Sequence, residues 1–213
     1  MKILVCISHV PDTTSKINFT NNDADFDTNG VQFVINPNDE FGLTRAIWFQ
    51  EQQGANVTVV NVGGPDTEPT LRKALAIGAN EAIRVNANPT DGFFVAKQLA
   101  EVIKNGSYDL VIAGRESLDY NGGMVPGMIA GILGYNFLNS CTNIAVEGVN
   151  VSPAAVDLGP ASGLDGPGGL DRQLAEVDLV GPLGPDGHVD AVALGHHPQR
   201  VPLAAAHQIG RAH

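Results

Sequence analysis

Residues 108–134 read YDLVIAGRESLDYNGGMVPGMIAGILG, and the order of their parts decides the fold. The apolar run Leu110, Val111, Ile112 and Ala113 ends at Gly114, and an acidic, glycine-rich loop follows. Met124, Met128, Ile129, Ile132 and Leu133 then recur at helical spacing. This is a strand, a loop and a helix. Gly122 and Gly123 fall where backbone N–H groups of the loop and of the first helical turn point outward, with no Cβ to hold a ligand away. Phosphate suits such a place, because unpaired amides and the helix dipole both favour negative charge.

Three earlier apolar runs repeat the pattern: 3–7, 57–62 and 82–85 read as strands, with 110–113 as the fourth. Helices are expected over 40–52, with Asn38 or Asp39 as N-cap, over 65–76, stopped by Gly78, and over 91–104, closed by Asn105 and Gly106. Strands alternating with helices predict an α/β fold on a mostly parallel sheet. Residues 11–35 interrupt the rhythm: a polar run over 20–30 separates the short alternating segments 16–19 and 31–35, which reads as a hairpin-like excursion at the sheet's edge. Residues 142–146 and 149–151 flank Glu147-Gly148 and predict another hairpin.

Composition narrows the function. A net charge of -11 argues against nucleic acid or an anionic membrane surface as partner, since both require a basic face. Any phosphate is therefore held locally, by loop amides and by Arg115. Cys6 and Cys141 form neither a disulfide framework nor a metal-ligand spacing, which fits a reduced, cytoplasmic setting. The start, MKILVCISHV, is too short an apolar run for a signal peptide, and no run reaches the length of a spanning helix, so no membrane insertion is expected.

No Walker A pattern and no GxGxxG after the first strand are present. The doubly wound class nevertheless places its ligand at the carboxyl ends of the strands, here residues 6–9, Asn36, 61–64 and 114–127. Asp119 has no paired acid or His beside it and reads as a helix cap or loop-ordering residue. His9 reads as an ordinary residue at a strand end, and Met124 and Met128 as core residues that can also line a pocket. Arg115 is placed to reach a phosphate or a flavin edge, or equally to pair with Glu116. His196-His197 lacks a third spaced ligand, and no metal is expected.

From Val151 the composition changes. The 63 residues from there to His213 contain no Lys, Asn, Thr, Phe, Tyr or Trp, but five of the six His and 17 Gly or Pro. Such a stretch buries little surface. The types lost are encoded by AT-rich codons and those gained by GC-rich ones, the pattern a frameshift or joining error leaves. The expectation is a nucleotide-binding domain over 1–150 and a Gly/Pro/Ala/His-rich tail over 151–213, disordered or frameshifted.

KILVCISHVPD at 2–12, INPNDEFGLTRAI at 35–47, VGGP at 62–65, LRKALAIGANEAIRV at 71–85 and the stretch from Tyr108 to Phe137 together resemble the beta subunit of electron transfer flavoprotein. The resemblance covers residues 1–150 and implies a three-layer α/β fold of the adenine-nucleotide-binding type shared with universal stress proteins. It implies an electron-transfer carrier subunit rather than an enzyme. Such a subunit pairs with an alpha subunit that carries FAD, and the heterodimer takes electrons from acyl-CoA or other dehydrogenases. AMP, or in some relatives a second FAD, lies in the beta subunit. Carried onto this chain, the binding positions are Cys6, Asn36, Gly63, Arg115, Asp119, Asn121, Gly122, Gly123, Met124, Val125, Pro126, Gly127 and Met128. The family's Thr-Gly-Gln or Ala-Gln side chains are missing from 123–127, so backbone amides must supply those contacts. Nothing from Val151 onward reproduces the family's partner-binding loop and basic arm. The alternative is a stand-alone adenine-nucleotide-binding stress-type module without electron transfer, which the excursion over 11–35 argues against.

Overall fold

The computed structural model describes residues 1–141, 143–147, 150–154, 177–181, 189–190 and 206–211. The chain begins with strand β1 (Lys2–Cys6), and after a break at Ile7 and Ser8 come β2 (His9–Pro11), β3 (Phe19–Thr20), β4 (Asp25–Phe26) and β5 (Phe33–Ile35). Helix α1 (Pro37–Gln53) leads to β6 (Asn56–Val62), a 3-10 turn (Pro65–Thr67), α2 (Glu68–Ile77) and β7 (Glu81–Val85). Next are α3 (Gly92–Gly106), β8 (Leu110–Gly114), α4 (Val125–Leu133) and β9 (Asn136–Cys141). Strands β10 (Asn143–Glu147), β11 (Asn150–Ala154), β12 (Val177–Gly181), β13 (Val189–Asp190) and β14 (Ala206–Arg211) complete the described elements.

Seven strands form the large sheet in the order β14-β7-β6-β1-β8-β12-β9. Its centre, β7-β6-β1-β8, is parallel throughout, as the apolar, β-branched runs require of strands covered on both faces. Alternation along each strand divides the core in two. Ile3, Val5, Val57, Val59, Leu110 and Ile112 pack with Leu43, Ala46 and Phe49 of α1 and Leu71 and Ala74 of α2. Leu4, Cys6, Val60, Val62, Val111 and Ala113 pack with Ala96, Leu99 and Ile103 of α3 and Ile129 and Ala130 of α4. The result is the expected three-layer α/β sandwich. Because the chain moves from β1 to β6 on one side and later returns to β8 on the other, the order reverses between β1 and β8. Their carboxyl ends bound the crevice where this class takes its ligands.

Several local expectations need correction. The excursion over 11–35 does not extend the sheet's edge: β2 pairs antiparallel with β5, and β3 with β4, as two small separate ladders. The β3–β4 turn is made by Asn21, Asn22 and Asp23, all at positive φ (53°, 56° and 64°), a conformation Asn and Asp tolerate better than other side chains. Helix α1 starts at Pro37 rather than Glu40, with Asn36 at the N-cap position and no side-chain cap. Proline needs no hydrogen-bond donor in the first turn and already has helical φ. This earlier start frees Asn36, Asn38 and Asp39 for other bonds. The helix expected over 65–76 is divided at Thr67, because Pro69 in the first turn of α2 brings no N–H to a continuous α ladder.

The hairpin after α4 is present as β10–β11, with Glu147 opposite Asn150 and the turn residues outside those described. Strand β9 had no counterpart in the sequence reading. The tail expected over 151–213 falls for the most part outside the described residues. Of those described there, β12 pairs antiparallel with both β8 and β9, and β14 pairs antiparallel with β7.

Candidate functional site

A cleft of about 660 Å³ opens over the carboxyl ends of β1, β6 and β8. Its walls are Cys6 to His9, Val60 to Gly64, Asn86 to Pro89, Val95 and Leu99 of α3, Ala113 and Gly114, loop residues Glu116, Ser117, Asp119, Tyr120 and Gly122, and Val125 and Pro126 at the start of α4. Asp66, Thr67 and Asp39 complete it.

Asp39 ties the two strands at the reversal. One carboxylate oxygen accepts the Ser8 N–H at 2.7 Å and the other the Gly114 N–H at 2.8 Å. Burial pushes its pKa up to about 6 against the opposing pull of the bonds from Ser8, Gly114 and Asn36. Gly114 is required here, because a Cβ would fall on the Asp39 carboxylate and on the Asn38 backbone. Cys6 beside it is a neutral thiol, its pKa raised to about 12 by burial and further by the Asp39 charge.

The loop after β8 is held from α1. Asn36 and Asn38 each donate a side-chain N–H to the Glu116 carbonyl at 2.9 Å, and the Leu118 N–H donates to Asn36 Oδ1 at 3.2 Å. Inside the loop the Ser117 N–H donates to the Gly122 carbonyl at 3.0 Å. Asn36 thus positions the loop and does not itself line the cleft. Arg84, buried in β7, supports the opposite wall by donating to the Gly63 carbonyl at 3.2 Å and to Asn86 Oδ1 at 2.7 Å, and it approaches Glu68 at 3.5 Å. Nothing in its sequence context pointed to that role.

Of the expected binding residues, Cys6, Gly63, Asp119, Gly122, Val125 and Pro126 line the cleft. Arg115, Asn121, Gly123, Met124, Gly127 and Met128 belong to the same loop and helix but are not part of the lining. Arg115 pairs with Glu116 at 2.8 Å, the second of the two roles open to it. Asp119 does not cap α4; it accepts the neighbouring Tyr120 N–H at 2.9 Å. A Cβ at Gly122 would meet the ring of the exposed Tyr120 at 2.5 Å. Met124, at the N-cap position of α4, is exposed, while Met128 packs against the core on the α3–α4 side. His9 also lines the cleft, stacked on Phe33 with ring centroids 4.4 Å apart and bonded through Nδ1 to Thr70 Oγ1 at 2.8 Å. Burial lowers its pKa, partly offset by Asp66. His196 and His197 lie outside the described residues.

Two buried polar atoms of the lining have no partner: Asn61 Oδ1 and Ser117 Oγ. Gly63 stands beside the first, where a Cβ would meet the Thr67 side chain at 2.5 Å and Asn61 Oδ1 at 2.9 Å. Unpaired buried acceptors and donors are costly unless something meets them. Together with the start of α4 they fit a small polar ligand with a nucleotide's mixture of donors and acceptors. The described lining includes Asp39, Asp66, Glu116 and Asp119 and no Lys or Arg, so negative charge on such a ligand would depend on amides alone.

A sheet whose parallel centre reverses between β1 and β8, with a polar cleft over that point, defines a doubly wound α/β protein. A family model described as the electron transfer flavoprotein domain matches residues 24–156, and the chain belongs to that family. It is 35% identical over 150 residues to an electron transfer flavoprotein subunit beta of Syntrophomonas wolfei, covering 70% of this chain and 59% of the relative. It is 29% identical over 154 residues to the subunit of that name from Bacillus subtilis, covering 70% and 59%. It is 30% identical over 136 residues to the acryloyl-CoA reductase electron transfer subunit gamma of Anaerotignum propionicum, covering 61% and 51%. The chain thus spans less than three fifths of the length of these curated relatives. Among the described residues no helix is long and apolar enough to cross a membrane.

Proposed function

We propose that this chain is the nucleotide-binding half of an electron-transfer heterodimer, an electron carrier subunit of the beta type rather than a catalyst. In this reading AMP occupies the cleft and a partner alpha subunit carries FAD, which supplies the redox chemistry. Electrons reach the pair from acyl-CoA or other dehydrogenases in the cytoplasm. The observation that carries the reading is the cleft at the strand reversal, whose two unpaired polar atoms, Asn61 Oδ1 and Ser117 Oγ, belong to residues within the matched family domain.

The cleft favours AMP over a second FAD. With four carboxylates and no Lys or Arg among its described lining residues, one phosphate on the loop and helix amides is easier to hold than a pyrophosphate. The amide of Val125, in the lining at the start of α4, is available for it, whereas Pro126 has none. Nucleotide binding is assigned to residues 1–150.

Co-expression with an alpha subunit of the same family, followed by purification, tests the reading directly. The expected result is a yellow heterodimer whose heat-released nucleotides include FAD and AMP on chromatography. A colourless chain that never co-purifies with the alpha subunit would sink the carrier assignment, and release of no adenine nucleotide would sink the site.

A further inference from the structure

We infer that Asn61 reads the base of the bound nucleotide, selecting a 6-aminopurine by accepting a hydrogen bond from its exocyclic amine. The inference rests on the nucleotide-binding reading above and goes on to say which group of the ligand meets which wall.

Asn61 is 5% exposed and lies near the end of β6. Its amide has only one orientation available, because Nδ2 donates to the Ile7 carbonyl at 2.8 Å across the top of β1. Oδ1 is therefore the acceptor, buried beside Gly63 in a residue of the cleft wall and met by no protein donor. An amide oxygen can only accept, so the ligand atom that satisfies it must carry hydrogen.

The direction of the ligand follows from the sheet. Phosphate belongs at the start of α4 and the loop after β8 because free amides and the helix dipole lie there; carboxylates line both ends, Glu116 and Asp119 at this one and Asp66 beyond β6, so the amides and the dipole set the direction. Strands β8 and β6 flank β1, so their ends are roughly 10 Å apart. That is the reach of a mononucleotide from phosphate to base, and it delivers the base to Asn61 and the apolar wall of Ala87, Pro89, Val95 and Leu99. Adenine offers an N–H there. Hypoxanthine presents a carbonyl oxygen, which Oδ1 repels, and unsubstituted purine presents nothing. Ser117, which holds the other unpaired atom, is in the loop on the β8 side, the end assigned to phosphate and ribose.

Equilibrium dialysis of the full chain against labelled AMP, competed with unlabelled AMP, inosine 5′-monophosphate or purine riboside 5′-monophosphate, tests this without any variant. Because a buried acceptor left unpaired costs the binding energy of a good hydrogen bond, both analogues should compete about tenfold or more weakly than AMP. In Asn61→Leu the three should compete alike. In Ser117→Ala all three should weaken by the same factor, with the preference for AMP intact. Equal competition by the three in the wild-type chain overturns the base-reading role while leaving nucleotide binding standing. A preference abolished by Ser117→Ala overturns it too, by placing the base at the other wall. If labelled AMP does not bind at all, the nucleotide reading falls and this inference with it.

Discussion

Asp39 holds the cleft together at an electrostatic cost. Its carboxylate is buried, joins the ends of β1 and β8, and has a pKa raised from 3.8 to about 6. The native protein therefore takes up a proton as the pH falls through 6, whereas the unfolded chain does so only near 4. The stabilisation belonging to the protonated form is complete below the unfolded value and is lost as the pH rises through the folded one. The size of this component is roughly 3 kcal/mol. Urea titrations of wild type and Asp39→Asn at half-unit steps from pH 4 to 7 should give a difference curve that changes across this window. A flat difference would mean that the carboxylate titrates normally in the folded state. Asp39 was legible in the sequence only as a helix cap, because its partners are backbone amides remote in the chain.

At the level of elements, α3 shows which sequence signals are self-sufficient. Asp91 sits at its N-cap in an extended conformation and accepts the Phe94 N–H at 2.7 Å. Asp91→Ala should cost about 1 kcal/mol in chemical denaturation. It should leave nucleotide affinity unchanged, because Asp91 is not in the cleft lining. Local chemistry of this kind made α3, the end of α2 at Gly78 and the strands β1, β6, β7 and β8 readable. Strand β9 was not, since Asn136, Asn139 and Ser140 break the apolar alternation and Ser140 adopts φ 58°. Its place is fixed by pairing with β12, which sequence order does not reveal. The site divides in the same way. Gly63, Gly122 and the start of α4 stood out by residue type, and Asn61 and Ser117 only by lying at strand ends. Arg84 was hidden, because an Arg in an apolar strand shows its role only when the Gly63 carbonyl is seen beside it.

For the whole molecule, the composition break at Val151 does not coincide with the boundary of the sheet. Strand β12 comes from beyond the break and lies between β8 and β9, bonding to both. A chain ending at Ala154 would leave the inner edge of β8 unpaired next to the cleft. Unpaired strand edges promote association, so light scattering should show the truncated chain aggregating at concentrations where the full chain stays monodisperse. Limited proteolysis should cut the truncated chain sooner between β8 and β9. Equal solubility and equal resistance would show that the residues beyond 154 add nothing to the sheet, as expected of a frameshifted tail.

The position of β12 also has a temporal consequence. During synthesis, β1, β6, β7 and β8 can assemble as soon as they leave the ribosome, since each parallel neighbour is already made. The strand that separates β8 from β9 emerges only after β10 and β11. Until then the nascent chain has an open seam beside its own ligand cleft, and β9 can close it wrongly by pairing directly with β8. Under the proposed nucleotide-binding role, a ligand bridging the β6 and β8 walls before translation ends would favour the correct closure by fixing the spacing of the strands that β12 must later join.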